Sequence, residues 1–160
     1  NRLAPVAVTG AHAFDMLATG IAHSCGRTTA GQVWCWGSNG YAQLGTGAGA
    51  GAGTAPTPML AAGGMTFDII VTTAYHTCGL SAGAAWCWGD NAAKQLGRSA
   101  GNLPAPVAGG LSFSSISVGR NHTCAIGTDG LAYCWGGNLH GQLGAPAAPD
   151  GYSPVRVGGQ

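Results

Sequence analysis

Glutamate is absent from this 160-residue chain, lysine occurs once, and charged residues make up only 7 % of it. Six basic and five acidic side chains leave a formal charge of +1, and Lys94 with Arg98 is the only close basic pair. Nucleic-acid binding draws its affinity from clustered lysine and arginine, so no nucleic-acid partner is expected. No apolar run approaches the roughly 20 residues of a membrane-spanning helix, so no membrane span is expected in this stretch. The opening Asn1-Arg2-Leu3-Ala4-Pro5 is not the charged start and apolar run of a signal peptide; it falls inside a repeat unit. No Ser-His-acid set or carboxylate pair recurs, and the five aspartates are scattered. No catalytic residue, cofactor or metal is therefore expected. With so few charges, solubility rests on Ser, Thr, Asn, Gln and backbone, which suits a protein covered by partners.

Glycine is abundant, at 30 residues, yet regularly spaced Trp, Ile, Leu and Val argue against a disordered linker, which lacks the apolar residues that offset chain entropy. The organising stretch is Tyr133-Cys134-Trp135-Gly136-Gly137-Asn138, closed by Gln142-Leu143-Gly144. It recurs as Trp34-Cys35-Trp36-Gly37-Ser38-Asn39 with Gln43-Leu44-Gly45, and as Trp86-Cys87-Trp88-Gly89-Asp90-Asn91 with Gln95-Leu96-Gly97. Upstream, Phe14, Phe67 and Phe113 each stand nine positions before His23, His76 and His122, and each His stands two before a cysteine. A register held three times over about thirty residues marks a structural repeat.

Within each repeat the alternating run after Phe, the His-x-Cys run and the Cys-Trp-Gly run read as three strands. The turns between the last two carry Gly31, Gly83 or Asp129-Gly130. A fourth, Pro-led strand closes each unit, and Pro5-Val6-Ala7-Val8-Thr9-Gly10 matches that closing run at the front. The low-complexity residues 46–54 read as a flexible excursion. Four short strands per unit of about 50 residues is the pattern of a propeller blade. The fold class is all-β: an open, partial β-propeller of four-stranded antiparallel blades, forming one repeat domain over residues 1–160. Its parts are a closing strand at 5–10, blade one at 14–60, blade two at 67–108 and blade three at 113–157. Alternation along the last hairpin places Cys124 and Cys134 on one face with His122, Ile126 and Ala132, and turns Tyr133 and Trp135 to the other. Radial stacking then sets one blade's aromatics against the next blade's small residues.

Gly119-Arg120-Asn121-His122 with Trp135-Gly136-Gly137-Asn138 and Gly141-Gln142-Leu143-Gly144 closely resembles the regulator of chromosome condensation type of β-propeller repeat. The resemblance covers nearly the whole chain. It departs at Thr73, where a Gly precedes His in the family, at Ala42 and Lys94, where a Gly precedes Gln-Leu-Gly, and in the second hairpin, which is one residue shorter. The family closes rings of seven blades, and three are present here. The guanine-nucleotide exchange and nucleosome docking of its eukaryotic founder are not carried over, because no matching charged surface is present. The cysteine-bearing form resembles bacterial secreted or cell-surface members, some of which act as protein inhibitors.

The cysteines fall as Cys25 with Cys35, Cys78 with Cys87 and Cys124 with Cys134, each pair astride a hairpin turn. Directly opposed positions come within disulfide range, and one pair per repeat suits an oxidising compartment. The alternatives are small reduced core residues or a metal set of His, x, Cys and facing Cys, which lacks a fourth ligand. The histidine persists in cytosolic relatives that lack the cysteine, and the resemblance thus implies a structural hydrogen-bonding role for it. Trp36, Trp88, Trp135, His23, His76 and His122 are read as repeat core, with a stacking platform for sugars or bases as the alternative for the tryptophans. Asn39, Asn91 and Asn138 are expected to bond backbone in their turns, and His12 and His140 to be exposed. The formal glycosylation sequon at Asn121 is discounted.

The functional expectation is a non-enzymatic protein-interaction or structural module in an extracytoplasmic setting: periplasm, cell surface or secreted. Its partners would be other protein subunits or further blades covering both terminal blade faces. The alternative is a fragment of a secreted seven-bladed propeller acting as a protein inhibitor or ligand-binding domain.

Overall fold

Strands of two to seven residues, separated by turns rich in glycine, leave no sequence for a helix to nucleate, and none occurs among the described residues. The computed structural model describes residues 3–61, 63–99, 101–146 and 151–160. The opening Asn1-Arg2 and residues 147–150 of blade three lie outside them. Blade one comprises β1 (Phe14–Thr19), β2 (His23–Thr28), β3 (Val33–Ser38) and β4 (Thr54–Leu60). Blade two comprises β5 (Ile69–Thr72), β6 (His76–Ser81), β7 (Ala84–Gly89) and β8 (Ala105–Pro106). Blade three comprises β9 (Phe113–Val118), β10 (His122–Gly127), β11 (Ala132–Gly136) and β12 (Val155–Arg156). Each is a four-stranded antiparallel meander with neighbours in chain order.

The central hairpins are in the register the sequence predicts: Cys25 faces Cys35, Cys78 faces Cys87 and Cys124 faces Cys134. The shorter second hairpin closes through Ala82 and Gly83 alone, with φ of 49° and 80°. Two left-handed residues make the turn whose twist matches a two-residue hairpin. Ala82 is held there by its N–H, which donates to Asp68 Oδ2 at 2.9 Å.

Two expectations are corrected. The run at residues 5–10 forms no strand and is exposed. A strand needs a sheet edge to pair with, and blade one's own outer edge is already occupied by β4. Residues 46–54 are not a free excursion: Asn39 N–H donates to Gly53 O at 2.8 Å and Gly51 N–H to Gly40 O at 2.9 Å. This folds the loop onto the Asn39 turn and lets β4 begin at Thr54, earlier than the Pro-led run.

Packing follows the face rule. Phe67, Ile70 and Trp88 of blade two form one core with Cys25, Val33, Cys35 and Leu44 of blade one. Phe113, Ile116 and Trp135 of blade three do the same with Cys78, Leu80, Cys87 and Leu96 of blade two. Burying one indole removes about 200 Å² from water, worth at most roughly 5 kcal/mol. Backbone also links the blades: Phe67 N–H donates to Gly31 O at 2.9 Å, and Phe113 N–H to Gly83 O at 2.8 Å.

Candidate interaction faces

Each joint between blades is built from the same three devices. The first is an indole on a glycine. Phe and Trp of one blade sit together, with ring centroids 5.8 Å apart for Phe14 and Trp36, 5.7 Å for Phe67 and Trp88, and 5.9 Å for Phe113 and Trp135. Trp88 and Trp135 are then pressed onto the Gln-Leu-Gly glycine of the preceding blade. A Cβ on Gly45 would stand 2.7 Å from Trp88 Nε1, and a Cβ on Gly97 2.7 Å from Trp135 Nε1. Only glycine permits that approach.

The second device is a buried polar relay. His23 Nε2 lies 3.0 Å from Thr77 Oγ1, and Thr77 Oγ1 donates to Gln43 O at 3.0 Å. His76 Nε2 lies 3.2 Å from Thr123 Oγ1, which donates to Gln95 O at 2.9 Å. Each hydroxyl spends its one proton on the carbonyl, so the imidazole must donate through Nε2. Burial pushes the pKa of His23 down to about 4 and that of His76 down to about 3. The third device is the disulfide itself. All three bonds are present, with Cα atoms 4.1 Å apart in each, which removes the thiolates that a metal site would require. The four cysteines of blades one and two are fully buried beneath the next blade.

The turn residues act within each blade. Asn39, Asn91 and Asn138 accept from the N–H of Leu44, Leu96 and Leu143 at 3.0–3.1 Å. Gln43, Gln95 and Gln142 accept through Oε1 from Tyr41, Ala93 and His140 N–H at 2.8–2.9 Å. These bonds hold the Gln-Leu-Gly loop so that its carbonyl and its glycine face the next blade.

At the two ends the same groups stand unused. Trp36 and His122, expected in the core with their equivalents, are half-buried because no blade covers them. Leu17 is 63 % exposed, whereas its equivalents Ile70 and Ile116 are 3 % and 7 % exposed. On the opposite end Ile126 is 40 % exposed, against 2 % for its equivalent Leu80. A pocket of about 130 Å³ lies over Cys124, Ile126 and Ala132. Another, of about 380 Å³, opens between Trp36 and the run from Val6 to Thr9.

Other residues stand apart from these faces. His12 is not free at the surface as expected: it lies half-buried with its ring 4.0 Å from that of Trp34. His140 is exposed. Arg98 turns inward and donates to Cys87 O and Leu103 O, so it does not form a basic patch with Lys94. Thr123 of the sequon is fully buried. Sequence reasoning missed Thr77 and Thr123 as interblade residues. Their signal was a hydroxyl residue after every repeat His, Ser24 included.

Residues 17–43 and 113–142 match the regulator of chromosome condensation (RCC1) repeat. The human probable E3 ubiquitin-protein ligase HERC6 is 31 % identical over 117 residues, covering 68 % of this chain and 11 % of that protein. The solved structure of yeast RCC1 (Prp20), bound to Kap60, superposes with a TM-score of 0.79 at 21 % identity, covering 90 % of this chain and 37 % of its own. The chain belongs to the RCC1-type β-propeller repeat family. The ectodomain of the receptor kinase CR4 from Physcomitrella patens is a further neighbour, with a TM-score of 0.55 at 29 % identity over 78 % of this chain and 30 % of that one. The yeast RCC1 protein has also been studied for its binding to Gsp1p and histones. This chain therefore spans about a tenth of the curated relative and less than two fifths of the solved propellers. Its RCC1-type departures leave the turn intact: Ala42 and Lys94 keep φ of 62° and 64°, beside 74° at Gly141.

Proposed function

We propose that this chain is a non-enzymatic protein-interaction or structural module, an accessory subunit or scaffold packed inside a larger extracytoplasmic assembly. The observation that carries the reading is the pair of uncovered ends, each of which is half of a joint that is buried elsewhere in the same molecule. Exposed apolar surface of this kind marks an interaction site. One disulfide per blade supports an oxidising compartment such as the periplasm, the cell surface or the extracellular medium. RCC1-type propellers serve in general as interaction or exchange-factor modules. The three blades act as one unit, with residues 14–60, 67–108 and 113–157 as its parts.

The share of the yeast propeller that is covered, 37 %, supports a second reading: a piece of a secreted seven-bladed propeller that binds a ligand or inhibits a protein. The first reading is tested by size fractionation of the chain from its native source with alkylation of any free thiols. Elution well above the mass of one chain, with all six cysteines protected, is expected. A free single chain with reactive thiols would remove the reading.

A further inference from the structure

No further inference is drawn: the strongest candidate, the surface patch made by the Tyr41 and Tyr75 rings, 4.6 Å apart on the loops above the joint of blades one and two, carries nothing because nothing in the structure shows what covers it.

Discussion

Thr77 illustrates how a single hydroxyl holds two blades together. It accepts a hydrogen bond from His23 and donates one to Gln43 O while fully buried, so Thr77→Val keeps the shape and strands two polar partners. A loss of about 2–4 kcal/mol is expected in urea unfolding, whereas Ser24→Ala, at the open end, should cost less than about 0.5 kcal/mol in the monomeric chain. Equal losses would show that the relay carries no joint energy. The same histidines set a pH dependence. Their folded pKa values, about 4 for His23 and about 3 for His76, lie below the ordinary 6.5. The unfolded chain therefore binds more protons between these limits, and stability is full above about pH 6.5 and declines as pH falls below it. Urea midpoints should be level from pH 8 to 7 and drop steadily towards pH 4.5; His76→Gln should flatten that slope. A residue-level expense sits at Ala42, held at φ 62° where Gly141 has 74°. Left-handed geometry costs a non-glycine residue about 1 kcal/mol. Ala42→Gly should therefore leave stability unchanged or raise it, despite burying one methyl fewer.

Among the elements, the central hairpins carry the most covalent constraint. Removing Cys78 and Cys87 together as alanines opens a loop of sequence separation 9, for which chain entropy predicts a loss of about 2.5 kcal/mol. Calorimetry of that variant against the parent checks it, and an unchanged midpoint would mean that neighbouring blades already impose the constraint. These hairpins were also the most legible elements in the sequence. Cys, Trp and the turn glycines fix register by a period of two, and each Cys pair sits where alternation puts it. The outer strands were less legible. β8 and β12 pair over only two residues, too short for any periodicity, while β4 starts inside the low-complexity run because Gly53 and Gly40 carbonyls tie that run down. The run at 5–10 has the residue pattern of an outer strand, but pattern cannot provide a partner edge. The interblade relay was invisible for a different reason: a Thr after a His carries no periodic signal until the blades are placed side by side.

For the molecule as a whole, energy is distributed as in other repeat stacks, where each unit is stabilised by its neighbours. Blade two is covered on both faces, and blades one and three on one each. Amide hydrogen exchange should accordingly be slowest in β6 and β7 and faster in β2, β3, β10 and β11. Uniform protection across the three hairpins would mean that the ends are already sealed. The joint also has a direction, since Trp88 and Trp135 both point back towards the blade that precedes them in the chain. Such an arrangement has a front and a back, like a toy brick with studs on one side and sockets on the other. A single engineered blade that keeps the tryptophan would fit the socket side, whatever stands in place of its own receiving glycine. The same blade with its glycine kept and its indole removed would cap only the studs.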